Sequence, residues 1–361
     1  MVNPLEMARR FWGGDTNYMI FQITDRCNAA CEHCFNWRKV KNPDNRELSL
    51  AEIEKLTDKL PPMLLVNLCG GEPTMRTDLP EIVSLFSHKS KAKYITIPTN
   101  GFLPDKTEEI FSRIFGENPD TFFRIGISLD GWEEEHDRIR RHPGGFKKTL
   151  RTAGFLQKMK QSYDNFFVEA NIVFSRKTQD TIDDLVTNIH STGLFDSIAV
   201  LYIRGNPEDP QLMQPDLEKY RAVNQRIADV FRVARHPSAR ILEALTELVV
   251  EKVIEAETTQ RHCFTCYAVK RFFVLNANGN LFPCEILEDK LIGNVREHDY
   301  DIPAMLKSDV AEDIRQFAKS CTCTWECAIN MSFIYNPLQS AKVVSRSFSR
   351  TLGRHDGRGR K

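Results

Sequence analysis

The chain has 361 residues, 41% of them hydrophobic, which exceeds one average domain and makes a large domain with a smaller one the expected plan. Its 49 basic and 49 acidic side chains cancel, which gives no argument for nucleic acid as a partner. With 10 cysteines and no apolar run for a signal peptide or membrane span, thiols reduced in a cytoplasmic setting and bound to metal are expected rather than disulfides.

Apolar, β-rich runs alternate with segments of helical period. Strands are expected over residues 18–23, 64–68, 94–98, 123–129, 166–174 and 197–203. Between them LSLAEIEKLTDKL, with Ser49 as N-cap, and FKKTLRTAGFLQKM read as helices. Six βα units imply an α/β fold, a parallel sheet curled into a partial (β/α)6 TIM-like barrel. A cysteine triplet then follows the first strand, GGEP the second and TNG the third, while LDG ends the fourth. All four fall on the C-terminal rim, where barrel active sites lie.

The triplet is Cys27, Cys31 and Cys34 in TDRCNAACEHCFNW. Three thiolates at this spacing hold three corners of a soft metal centre, and a four-iron cluster with three protein ligands keeps one iron open. A closed zinc or electron-transfer site would want a fourth ligand nearby, and His33, wedged between Cys31 and Cys34, is badly placed to be one. Among the other rim residues, Gly70, Gly71, Glu72 and Pro73 read as a tight turn whose backbone is open to a ligand. Thr99, Asn100 and Gly101 end the third strand with small hydrogen-bonding groups. Asn171 is polar within an apolar strand and needs a partner, either a ligand hydroxyl or a core network.

A C-x3-C-x-aromatic-C pattern directly after an apolar strand, followed by GGEP, resembles the radical S-adenosylmethionine (SAM) enzymes. In that family the open iron of a 4Fe-4S cluster chelates the amino and carboxylate groups of SAM. One electron then splits the sulfonium to a 5'-deoxyadenosyl radical, which takes hydrogen from the substrate. The resemblance implies that Cys27, Cys31 and Cys34 hold this cluster, that His33 contacts adenine and that the Gly70 to Pro73 segment holds the methionine amino group. It further implies a family turn at Thr99 and Asn100, and Ser128 and Asp130 near the SAM carboxylate and ribose, with Asn171 a candidate for the ribose hydroxyls. EHDRIRRHPGGF is similar to the H-D-x-x-R and G-x-F pattern of members with a SPASM or twitch extension, through His136, Asp137 and Arg140. Arg140 is then a candidate clamp on the SAM carboxylate; a solvated charged turn is the alternative.

PEDPQLMQPDLEKY reads as a linker or lid before helices over residues 217–234 and 239–257. Cys263 and Cys266 precede a hairpin with an Asn-Gly turn at Asn278 and Gly279 that returns Cys284 towards Cys266. Spacing from Cys266 resembles the opening of SPASM and twitch domains, and Cys321, Cys323 and Cys327 follow in CTCTWEC. The resemblance implies one auxiliary 4Fe-4S cluster on Cys266, Cys284 and two or more of Cys321, Cys323 and Cys327; spacing alone also admits a zinc ribbon. Cys69 and Cys263 are left as a core residue and a spare thiol, or as hydrogen-atom donors to a substrate radical.

The expected organisation is an N-terminal segment over 1–15, a radical SAM barrel over 16–235 and a linking helix over 236–260, then an auxiliary domain over 261–335 and a basic tail over 336–361. PLEMARRFW and the tail carry cations suited to phosphates or a membrane surface, although such tails are commonly solvated and disordered. The expected activity is that of a SAM-cleaving oxidoreductase or isomerase fed by a donor such as flavodoxin or ferredoxin. About two dozen residues precede Cys27, which disfavours a built-in peptide-leader module and favours a small molecule, lipid, sugar or tetrapyrrole over a peptide. A non-catalytic iron–sulfur or zinc protein is the rival class. The GGEP and SLDG loops argue against it, since an electron carrier needs no SAM pocket.

Overall fold

The computed structural model describes residues 13–14, 16–44, 46–231 and 237–352, so PLEMARRFW lies outside the described residues. Six parallel strands run β1 (Tyr18–Thr24), β2 (Leu65–Gly70), β3 (Tyr94–Thr99), β4 (Phe122–Ser128), β5 (Phe166–Phe174) and β6 (Ser197–Tyr202). Each pairs with the next in sequence. β1 is buried along its whole length, which is why YMIFQIT reads as an unbroken apolar run rather than an alternating one. Helices separate the strands. The helix Leu50–Lys59 starts on a capping box in which Ser49 accepts from the Glu52 amide and Glu52 accepts from the Ser49 amide.

The auxiliary segment is not detached from the barrel. Its first strand, β7 (Phe272–Leu275), adds in parallel to the free edge of β1, pairing Tyr18 with Phe272 through to Phe21 with Leu275. Then β8 (Asn280–Phe282) and β9 (Gly293–Asn294) continue antiparallel, giving one nine-stranded sheet in the order β6-β5-β4-β3-β2-β1-β7-β8-β9. The hairpin turns at the expected dipeptide, with Gly279 in the left-handed region at φ +89. Covering β1 in this way removes an exposed edge.

The two long helices are Leu217–Val230 and Pro237–Thr259. The tail departs from the solvated reading. Residues Pro337–Leu352 form a helix packed on Pro237–Thr259 and on Glu326–Tyr335. Val343 and Ser347 are buried, and Arg346 pairs with Glu247 and Glu251 of the neighbouring helix. Its cations therefore serve an internal face as well as solvent. Residues 353–361 lie outside the described part. Among the described residues no helix is long and apolar enough to cross a membrane.

Candidate active site

The loop after β1 gathers Cys27, Cys31 and Cys34 around Ala29 and Phe102 in a small cluster apart from the main core. Its shape is imposed from several sides. The amides of Ala30 and Glu32, on either side of Cys31, donate to the carbonyls of Arg140 (3.3 Å) and Ile139 (3.1 Å). Asn28 is held by His142 Nδ1, which donates to its carbonyl at 3.0 Å, and by Asn100 Nδ2 on its side-chain oxygen at 2.7 Å. Burial pushes the Cys27 and Cys34 thiols up to about 12, and the neighbouring thiols add to the rise. Such a set is neutral alone and turns anionic against a metal cation, which fits three soft ligands of a metal cluster.

GGEP braces this loop. A Cβ on Gly70 (φ +124) would stand 2.3 Å from the Thr24 carbonyl oxygen, and one on Gly71 would stand 2.1 Å from that of Arg26. The close approach that needs glycine is thus to the protein's own backbone entering the cysteine loop. Glu72, buried at 2% exposure, accepts from Thr74 N (3.2 Å), Thr74 Oγ1 (2.7 Å) and Thr99 Oγ1 (2.7 Å) with one oxygen, and from Asn100 N (2.7 Å) with the other. Its carboxylate ties the second rim loop to the third, and Pro73 starts the short 3-10 turn Pro73–Met75 that follows.

The fourth and fifth strands supply the opposite wall. Ser128 sits in register with Asn171, whose buried Oδ1 has no hydrogen-bond partner among the described residues. An orphaned buried acceptor at this rim matches a hydroxyl donor from a bound cofactor. Asp130 is fully buried and accepts Arg140 Nε (2.7 Å) and Nη2 (2.6 Å) on Oδ2 and Val173 N (2.7 Å) on Oδ1. His33 Nε2 stands 3.6 Å from the same Oδ2, and burial lowers the pKa of its imidazole. Burial pushes the Asp130 pKa up, but Arg140 and then His33 outweigh it, so the carboxyl stays ionised.

The EHDRIR segment is a helix, Glu134–Arg140, and not a solvated turn. His136 is wholly buried and accepts from Asp130 N at 3.3 Å. Asp137 accepts from Gly144 N (2.5 Å) and Phe146 N (2.7 Å), anchoring the G-x-F that follows.

In the second cysteine group, four thiols act on one another. Cys284 feels Cys266 and Cys321, and Cys323 feels Cys321, Cys266 and Cys284. Burial raises Cys266 to about 11 and Cys284 to about 12. Cys327, expected beside them from its place in CTCTWEC, lies instead with Tyr18, Arg204, Glu285, Glu326 and Cys69. The cause is Trp325, fully buried against Phe272 at 5.6 Å, which fixes the start of the helix Glu326–Tyr335 and carries Cys327 towards β1. Cys263 turns away as well, its Sγ directed at the Lys252 carbonyl. Among the described residues no three Cys, His, Asp or Glu side chains converge on a single ion.

One junction residue escaped the sequence reading. Arg204, just past β6, reaches Glu285 at 3.2 Å and Glu326 at 3.9 Å and lies 5.2 Å over the Phe35 ring. Phe35 follows Cys34 and Glu285 follows Cys284, so this arginine joins the two cysteine regions. A lone arginine in YIRGNPEDP carries no signal in sequence.

The model of the radical SAM superfamily matches residues 21–188, and that of the SPASM iron-sulfur cluster-binding domain matches residues 266–328. The chain belongs to the radical SAM superfamily. It is similar to Fe-coproporphyrin III synthase of Methanosarcina barkeri, 36% identical over 137 residues, which is 37% of this chain and 32% of that protein. The chain thus spans about a third of that relative's length. It is also similar to the sporulation killing factor maturation protein SkfB of Bacillus subtilis, 24% identical over 310 residues, covering 84% of this chain and 67% of that protein. In fold it resembles Streptococcus suis SuiB bound to S-adenosylmethionine, with TM-score 0.60 at 15% identity, over 87% of this chain and 71% of the other. The radical SAM domain implies a 4Fe-4S cluster and SAM, and the SPASM domain implies additional iron–sulfur clusters.

Proposed function

We propose that this radical SAM enzyme binds SAM across the rim loops of β1 to β5 and acts on a small molecule, a tetrapyrrole among the leading candidates, in the space between the rim and the auxiliary segment. When bound, the cluster and SAM supply a 5'-deoxyadenosyl radical that takes a hydrogen atom from that substrate. Cys27, Cys31 and Cys34 hold the SAM-binding cluster, and Cys266, Cys284, Cys321 and Cys323 hold one auxiliary cluster. The observation that carries the reading is the gathering on one rim of the Cys27, Cys31 and Cys34 thiols in one small cluster, the braced GGEP loop and the orphaned acceptor of Asn171. His33, Ser128 and Asn171 line the adenosyl side. Gly70, Gly71 and Pro73 shape the methionine side, while Glu72, Thr99 and Asn100 hold the loops in place. The one Arg140 nitrogen not engaged by Asp130, Nη1, faces the carboxylate side.

Residues 16–235 act as the radical SAM domain and 261–335 as the auxiliary domain, in the cytoplasm, with flavodoxin or ferredoxin as reductant. Likeness to Fe-coproporphyrin III synthase supports the tetrapyrrole reading. Peptide maturation is the second reading, favoured by the longer alignment with SkfB. The test is anaerobic: reconstituted protein, dithionite and SAM are assayed for 5'-deoxyadenosine with the small-molecule fraction of a cell extract. Stimulation that survives protease treatment supports a small molecule, and stimulation lost to protease transfers the assignment to a peptide.

A further inference from the structure

A concavity of about 800 Å3 opens at the end of the sheet opposite the rim, bounded by the chain entering β1, β2 and β7, and its wall includes Cys266. Five cations line it, Lys59, Lys270, Lys307, Arg315 and Lys319, against a single carboxylate, Glu312. They come from four separate segments of a chain whose charges cancel overall, so the excess is local and made by the fold. Nearby acids do not remove it. Arg315 pairs with Glu312 at 2.7 Å and Lys59 with Asp299 at 2.6 Å. Lys270 lies instead over the Tyr267 ring, and Lys319 Nζ donates to the Gln316 side chain at 2.6 Å. These two and Lys307 are exposed, and none of the three forms an ion pair among the described residues. Uncompensated cations around a hollow attract an anionic surface and steer its approach.

We infer that this hollow is the docking site of a small acidic one-electron carrier, of the flavodoxin or ferredoxin kind, which reduces the auxiliary centre from its Cys266 side. One electron leaves the carrier and one arrives at the centre, with no bond made or broken. Transient redox contacts are small and steered by charge, which suits a concave patch rimmed by lysines. Cys266 decides for a redox partner over any other acidic protein, since it brings a proposed cluster ligand to the wall of the hollow. The inference rests on that ligand role and on the proposed reductant.

The test measures the affinity of an acidic flavodoxin for the full-length, anaerobically reconstituted protein by calorimetry, at about 20 mM and about 500 mM NaCl. Joint Lys270→Glu, Lys307→Glu and Lys319→Glu replacement is expected to weaken Kd about tenfold at low salt and to remove most of its salt dependence. The same reversal at Lys106, Lys147 and Lys158, exposed on barrel helices, is expected to leave Kd native. Iron content and dithionite-driven 5'-deoxyadenosine formation should stay native in both triple variants, which excludes misfolding. Native affinity in the first triple variant, or equal weakening in the two, overturns the docking site. Rapid mixing with the photoreduced carrier reads the transfer itself. Flavin oxidation is expected to slow in the first triple variant and, in Cys266→Ala, to lose the part due to the auxiliary centre while Kd stays native. Undiminished flavin oxidation in Cys266→Ala with its auxiliary iron lost overturns the electron route. Full iron in Cys266→Ala would instead overturn the ligand assignment, a separate outcome.

Discussion

Cys27, Cys31 and Cys34 come from one loop behind β1, whereas Cys266, Cys284, Cys321 and Cys323 are brought together from a hairpin and a distant loop. The first set is positioned by its neighbours on the barrel rim, through Arg140, His142 and Asn100. The second depends on β7 finding the edge of β1, since without that pairing Cys266 and Cys284 have no frame. In the proposed assignment three thiols leave a coordination position for SAM, and four close a site. A short cysteine motif thus suits an open catalytic centre, while a dispersed one doubles as the clasp between two parts of the sheet.

The sharpest break of this comparison removes one group at a time. Replacing Cys27, Cys31 and Cys34 together by Ala is expected to abolish 5'-deoxyadenosine formation and to lower bound iron by about four atoms per chain, leaving the auxiliary set filled. Replacing Cys284 or Cys323 by Ala is expected to remove the other four or so, with SAM cleavage retained but no longer coupled to product. Cys327→Ala and Cys263→Ala should keep their full iron, because neither thiol stands with the four. Iron lost in Cys327→Ala would move that residue back into the ligand set.

A smaller effect falls on the rim alone. Glu72→Ala strips the Thr74 and Asn100 amides of their acceptor and unties the second loop from the third. Stability is expected to drop by about 4 kcal/mol in denaturant unfolding of the apoprotein, from two buried donors left unpaired. Asn171→Ala should be different. Its Oδ1 has no internal partner, so SAM affinity falls while unfolding hardly changes. Equal losses of stability in the two variants would mean that Asn171 is part of a core network.

The contrast between local and dispersed order also explains what was legible in the sequence. All six barrel strands could be read, since each is a β-rich apolar run with a turn signal behind it, and so could the Ser49 cap and the Asn278–Gly279 turn. The parallel addition of β7 to β1 could not, because FFVL carries no mark of its partner. Neither could the position of Cys327 beside Tyr18 and Arg204, which follows from the burial of Trp325 at a helix start and not from spacing. The described part of the tail, Pro337–Leu352, departs from the solvated reading for a similar reason. Its basic composition looks solvated until Arg346 meets Glu247 and Glu251 across a helix pair. Nor could the close approach of Gly70 and Gly71 to the backbone of Thr24 and Arg26 be read, an approach that requires glycine there whatever the loop holds.

The mildest distinction between the two regions is acid sensitivity, and it rests on His136 behind the rim. Burial first, and then the Arg140 charge, lower its pKa from 6.5 to about 4. The unfolded chain therefore takes up a proton near pH 6.5 that the folded chain refuses until about pH 4. More protons are bound by the unfolded state in that window, so stability is complete above it, falls as pH drops through it, and levels off below. The loss amounts to about 3 kcal/mol at most, since each pKa unit is worth about 1.4 kcal/mol. His136→Asn keeps an acceptor for the Asp130 amide but cannot titrate. Urea unfolding of the apoprotein between those limits should therefore lose part of its slope with pH in the variant, the lowered imidazole of His33 keeping a share of it, while a protein lacking Cys284 should keep the native slope. Parallel pH curves for native protein and His136→Asn would show that the acid response of the rim arises elsewhere.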